Sequence, residues 1–263
     1  MGRIGRRSSV EGLSGRASKT KPRNWNVPKP PRGARKRALL TVERLRDLYP
    51  AATELTHENP FQLLIATILS AQTTDRSVNL VTPELFRLYP TAHDLAAADP
   101  AEVQKLIKPT GFFRLKTTRI IAAARALVEL YGGEVPTTME DMVKIPGIGR
   151  KTANVILGAG FGEPGFAVDT HVTRLTNRLG FVAIRDPVKI EFQVTSMVPP
   201  EEWTGLSLRL ILHGRRICDA RQPLCPECVL NDFCPSSLTR PGRRLRKGRP
   251  IGEAPGSDIK LAR

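Results

Sequence analysis

Residues 138–161, TMEDMVKIPGIGRKTANVILGAGF, impose the tightest constraint on the fold: two helical stretches joined through a turn short enough to force a hairpin. Thr138, with Asp141 three residues on, opens the first helix as a weak capping box, and Met139, Met142 and Val143 give it an apolar side. Pro146 and Gly147 end that helix, because proline removes a backbone donor and glycine permits positive φ. The second helix starts near Arg150 and carries Ala153, Val155, Ile156 and Leu157. The Pro-Gly-Ile-Gly turn leaves backbone N–H groups bare beside a helix N-terminus, an arrangement that accepts a phosphate. Lys151 falls in the first turn, where the positive helix end disfavours the ammonium form. An amine that sheds its proton is a nucleophile. Taken alone, the hairpin fits equally well with a plain connector bearing a surface lysine.

Charge distribution says more than the net +16. Residues 1–37 hold 12 Lys and Arg against one acid, Glu11, and residues 240–263 hold eight against Glu253 and Asp258. Residues 38–239 are therefore nearly neutral. Two basic, low-hydrophobicity ends read as disordered arms suited to salt-sensitive association with nucleic acid. Solvated tails without a fixed partner are the alternative. The first 37 residues also share the Arg- and Ser-rich, acid-poor character of organellar transit peptides, although the Pro-rich stretch 26–33 suits a tether better. No apolar run approaches the ~20 residues of a membrane span, and no secretory apolar region follows the N-terminus.

The remaining chain reads as all-α. Residues 38–49 space Leu40, Leu45 and Leu48 at helical intervals and stop at Pro50. Asn59-Pro60 starts an unbroken apolar helix, FQLLIATILSA, whose composition places it centrally. A polar cluster, Gln72-Thr73-Thr74-Asp75, follows, with Asp75 able to cap the next helix. Thr91 and Asp99-Pro100 open two short helices, KPTGFFR (108–114) is a loop with two adjacent phenylalanines, and 115–130 is helical up to Gly132-Gly133. Residues 167–181 place Val168, Val172, Leu175 and Leu179 on one side and Arg174 and Arg178 on another. FQVTSMV and TGLSLRLILHGRRIC are two further helices, with no strand run and no internal repeat.

All four cysteines, Cys218, Cys225, Cys228 and Cys234, fall within one short run with spacing C-x6-C-x2-C-x5-C. Two disulfides would need an oxidising compartment, which nothing here signals. Four thiolates suit either zinc or a 4Fe–4S cluster, and ligand count does not separate them. The spacing departs from the paired C-x2-C of zinc ribbons and favours iron–sulfur.

Three motifs together, IPGIGRKTANVI (145–156), AVDTH (167–171) and the cysteine run, resemble bacterial endonuclease III, a family of DNA glycosylases with lyase activity in the helix-hairpin-helix superfamily. LLIATILSAQTTD, LILHGRRIC and the GFFR loop match in kind and order, so the resemblance covers roughly 38–236. It implies two helical lobes with DNA in the cleft between them. A six-helix lobe (53–163, with the hairpin at 138–161) is inserted into a 4Fe–4S lobe made of 38–52 and 164–239. Lys151 matches the lysine that attacks the deoxyribose, and Asp169 the carboxylate that stabilises the developing positive charge; Asp169 also fits as the N-cap of its helix. Burial beside the helix end is expected to help Lys151 stay unprotonated. Gln72 and Phe112 match residues that fill the duplex when a base is extruded, although the family often has an aliphatic residue where Phe112 stands, and Phe113 competes for that role. Gly147 and Gly149, with Arg150, are expected to hold a DNA phosphate, and Arg221 in the cysteine loop to approach the backbone. His171 either orients the site or simply packs.

The implied function is excision of oxidised pyrimidines from double-stranded DNA, with strand cleavage at abasic sites through a lysine Schiff base. The implied setting is a monomer in the bacterial cytoplasm, associated with the nucleoid. An adenine mismatch glycosylase of the same superfamily and a non-enzymatic DNA-binding module with a structural metal are the alternatives. Lys151 and the short basic C-terminal tail argue against the first, and a covalent borohydride adduct would exclude the second.

Overall fold

The computed structural model describes residues 27–239, and these form helices and turns without a strand. The elements are α1 (Ala34–Arg46), α2 (Pro60–Leu69), α3 (Asp75–Leu88), α4 (Ala92–Ala96), α5 (Pro100–Ile107), α6 (Phe113–Tyr131), α7 (Met139–Met142), α8 (Arg150–Phe161), α9 (Thr170–Arg178), α10 (Pro187–Thr195) and α11 (Trp203–Arg216). Short 3₁₀ turns occupy Lys108–Thr110, Pro200–Glu202 and Cys225–Glu227.

Side-chain caps fix most helix starts. Asn59 accepts from the Gln62 N–H at 2.9 Å with Pro60 as the first helical residue, and Thr138 accepts from the Asp141 N–H at 3.2 Å. Thr74, not Asp75, caps α3, accepting from the Ser77 N–H. A threonine hydroxyl one residue earlier reaches the same orphan amide, which frees Asp75 for an ion pair described below. The first ordered element was expected near Arg35, and α1 starts at Ala34. Its Arg37 donates to the carbonyls of Leu179 (2.8 Å) and Gly180 (2.6 Å), which close the C-terminal end of α9. Gln193 also holds the Pro28 carbonyl. Residues 27–37, assigned to the basic arm, thus belong in part to the fold. The expected disorder of 1–26 and 240–263 falls outside the described residues.

The buried apolar residues form two cores. One spans Leu55 to Leu157 and is centred on α2, where Leu63, Leu64, Ile65 and Leu69 are fully enclosed. Each such side chain contributes about 1.5–3 kcal/mol of burial, which explains why α2 is apolar all round. It packs against α3, α6 and α8. The second core joins α1 to Phe166–Leu230, with α11 packed on α1 and α9. Helix α11 also touches α8, and so links the two cores.

Polar contacts pin this junction. Arg215 of α11 pairs with Glu54 (2.6 Å) and Asp75 (2.9 Å). Gly165 donates its N–H to the Thr204 hydroxyl (3.2 Å). A Cβ on Gly165 would lie 2.4 Å from the Asn154 carbonyl oxygen and 3.3 Å from the Gly158 nitrogen. The chain leaving α8 therefore doubles back along that helix, towards the end that carries Lys151. No helix among the described residues is long and apolar enough to cross a membrane.

Candidate active site and cluster loop

Helix α8 begins at Gly149, which has no side chain to cap it. The turn before it reverses at Gly147, whose φ of 86° is closed to ordinary L-residues. Gly147 and Gly149 are both exposed, and a Cβ on Gly149 would meet nothing within 4 Å. The uncapped first turn and the bare glycines leave donors open at the positive end of α8. Lys151 stands there and is exposed, so the burial expected for it is not what the chain provides. Its surroundings are the helix end and water.

Asp169 arrives on the returning segment. Phe166, Ala167 and Val168 are buried, and the Ala167 carbonyl accepts from Ser207 of α11 at 2.7 Å. This anchoring holds Asp169 at the start of α9, where Oδ1 accepts from the Val172 N–H at 2.8 Å. The cap occupies one oxygen of a half-buried carboxylate. His171 packs at Gly214, with Arg174 3.1 Å from Nδ1, and burial lowers its pKa.

Arg150 was expected among the DNA contacts, but its guanidinium is committed elsewhere. Nε and Nη2 donate to the two oxygens of Glu191 at 2.7 Å each, and the group lies 5.1 Å over the Phe192 ring. This pair fastens the lysine-bearing end of α8 to α10. The backbone N–H of Arg150 stays at the open helix end, and Nη1 is not part of the pair with Glu191. A fork-on-carboxylate pair at this partial burial is worth more than a surface ion pair. Glu191→Ala is expected to lower stability by about 2 kcal/mol, read as a shift of the urea midpoint at unchanged slope. A midpoint equal to wild type would reduce the pair to a surface contact.

Gln72 and Phe112 share a backbone feature that sequence did not reveal. They are the non-glycine residues with positive φ among the described residues, at 56° and 47°. A left-handed conformation costs a side-chain-bearing residue on the order of 1–3 kcal/mol and clusters at functional positions. Phe112 is 65% exposed, whereas Phe113 packs partly into the first core. Gln72 is exposed at the end of α2.

The four thiols are half-buried and unbridged. They line one pocket, whose walls include Leu175, Leu179, His213 and Leu230. Among the described residues no three His, Cys, Asp or Glu side chains converge on a single-ion site. Four thiols lining one pocket are the ligand set that a 4Fe–4S cluster takes. Burial pushes the Cys228 thiol up to about 11 and His213 down to about 4. A neutral His213 lies 3.3 Å from the Cys228 sulfur, with Tyr49 on its other nitrogen.

Arg174 and Arg178, read from sequence as a helix face distinct from the apolar one, instead brace this loop. Arg174 donates to the Cys218 carbonyl, and Arg178 to the Cys218 sulfur and to the carbonyls of Asp219 (2.6 Å) and Ala220 (2.8 Å). Their signal was present as an i, i+4 arginine pair beside an apolar stripe, but nothing local showed what they reach. Arg221 is exposed. Asp219 accepts backbone N–H bonds from Gln222 and Arg221, and these hold its carboxyl down at about 2.

Residues 65–200 match the family model of HhH-GPD superfamily base excision DNA repair proteins. An endonuclease III from Synechocystis sp. is 50% identical over 73% of this chain and 89% of its own. The chain belongs to the endonuclease III family. It is accordingly a base excision repair enzyme, a DNA glycosylase with AP lyase activity. Two solved structures are 41% identical with a TM-score of 0.71, each covering 76% of this chain and 95% of the other: a non-covalent endonuclease III–DNA complex and a trapped endonuclease III–DNA covalent intermediate. The family member described here shares their all-α architecture.

Proposed function

We propose that this chain removes oxidised pyrimidines from double-stranded DNA and cleaves the resulting abasic site with Lys151 as nucleophile. The carrying observation is the chain path: Gly165 lies against Asn154 on α8, the helix whose first turn carries the exposed Lys151, and Asp169 follows at the head of α9. Nζ attacks C1′ of the deoxyribose, the bond from C1′ to the base breaks, and the base leaves with the electron pair. Ring opening gives a protonated imine between Nζ and C1′. Loss of a C2′ proton then expels the 3′ phosphate, and water releases the lysine. Asp169, with one oxygen tied to the Val172 N–H, offers the other to the positive charge on the sugar.

Gly147, Gly149 and the Arg150 N–H hold a phosphate and read no sequence. Gln72 and Phe112 enter the duplex as the damaged nucleotide leaves it: Gln72 bonds the widowed base and the Phe112 ring replaces the lost stacking. Arg221 approaches the DNA backbone. DNA lies across the cleft between the two lobes, and the enzyme acts as a monomer associated with the nucleoid. Cys218, Cys225, Cys228 and Cys234 hold a 4Fe–4S cluster, as the family resemblance implies. That group supplies a fixed crosslink for the 218–234 loop.

Borohydride trapping on duplexes carrying thymine glycol, an abasic site or an adenine mismatch tests this reading. Adducts on the first two support it. An adduct on none reduces the chain to a binding module, and excision at the adenine mismatch alone makes it an adenine glycosylase.

A further inference from the structure

Lys116 is 2% exposed and among the largest enclosed side chains of the fold. It lies in the first turns of α6, at a position where an apolar residue would pack without cost. Its Nζ donates to the Thr110 carbonyl at 2.7 Å. Burial lowers its pKa. It is too enclosed to reach a sugar, and the catalytic reading makes no use of it.

Its surroundings indicate what it does. Thr110 ends the 3₁₀ turn that continues α5 and is itself buried, its hydroxyl tied to the Ile107 carbonyl at 2.8 Å. Carbonyls at such a helix end carry partial negative charge and attract a cation. Between Thr110 and α6 lie only Gly111 and Phe112, both with positive φ. Phe112 makes no side-chain cap, and its carbonyl accepts the Lys116 N–H at 3.0 Å. The Lys116 side chain therefore grips the loop at Thr110, while its amide makes the ordinary first helical bond to Phe112. A strained conformation persists only where surrounding contacts over-determine it.

We propose that Lys116 is a positioning residue that locks the 110–112 loop with the Phe112 ring projecting, so that the wedge is formed before DNA binds. The inference rests on reading Phe112 as the wedge. A wedge set in advance spares the enzyme the ordering cost at the moment of base extrusion. A single-stranded abasic substrate has no base pair to open and does not need it.

The test uses the full-length enzyme and the variants Lys116→Met, Lys116→Arg and Phe112→Ala. Single-turnover excision of thymine glycol from a paired duplex is compared with lyase activity on a single-stranded abasic oligonucleotide. Lys116→Met and Phe112→Ala are each expected to slow duplex excision about tenfold, and Lys116→Met to leave single-strand cleavage within about twofold. The double variant should lose no more than either single one, and Lys116→Arg should recover part of the rate. Equal losses on both substrates, or no loss on the duplex, overturn the proposal. Full duplex activity in Phe112→Ala instead overturns the wedge reading on which it stands. Hydrogen exchange of the wild-type enzyme decides the matter if Lys116→Met does not fold. The Lys116 amide should be as protected without DNA as with it, and protection that arises only on DNA binding overturns a preformed wedge.

Discussion

Replacing Lys151 with alanine is expected to abolish the borohydride-trapped adduct and to lower strand cleavage at abasic sites by roughly 10³-fold or more. The imine requires a primary amine at that position, and no neighbouring side chain replaces it. Lys116, the nearest alternative in chemistry, is enclosed and engaged with a carbonyl. Because Lys151 is exposed, its loss should leave stability within about 0.5 kcal/mol, so the effect is chemical rather than conformational. An adduct at wild-type level in the variant would move the nucleophile elsewhere. Asp169→Asn separates the two functions of its carboxylate, since asparagine caps a helix as well as aspartate does. It should keep the melting temperature yet slow excision roughly 100-fold, the range of one lost electrostatic contact at a reacting centre. A variant that is slow only in proportion to lost stability would make Asp169 a cap and nothing more.

Cys228→Ser is expected to remove a broad visible absorbance from the purified protein and to destabilise the second core by roughly 5 kcal/mol or more, since the energy of a structural metal site is folding energy. That loss rivals the whole stability of an ordinary domain. Apart from Leu230 the loop is exposed or half-buried and made of turns, so the Arg174 and Arg178 hydrogen bonds are the main hold on it besides the thiols. Limited proteolysis between residues 218 and 234 should report the opening. A colourless wild-type protein containing one zinc would overturn the cluster assignment.

The helices were legible because their signals are local. Asn59-Pro60, Thr91, Asp99-Pro100, Thr138 and Gly132 each announce a boundary within a few residues of chain. The thiol set was legible for the same reason, as four cysteines in one run. The corrections lie where a distant partner decides. Asp75 was available as a cap, but Arg215 lies 140 residues away and claims it, while Thr74 takes the amide. Arg150 reads from sequence as a DNA contact, and its pairing with Glu191 of α10 is set 41 residues away. Lys116 reads as an ordinary helical lysine, and only packing shows it to be enclosed. The left-handed backbone of Gln72 and Phe112 has no signal in residue type, because neither glutamine nor phenylalanine favours it.

Gly165 carries a consequence for the cell's heredity. Any missense change there sets a carbon 2.4 Å from the Asn154 carbonyl and pushes apart the segment that returns Asp169 to α8. The reacting lysine and the thiols would be untouched, yet the repair activity would fall. A lineage with that single substitution would keep an intact-looking gene while base excision repair faltered, and mutations would accumulate at a raised rate.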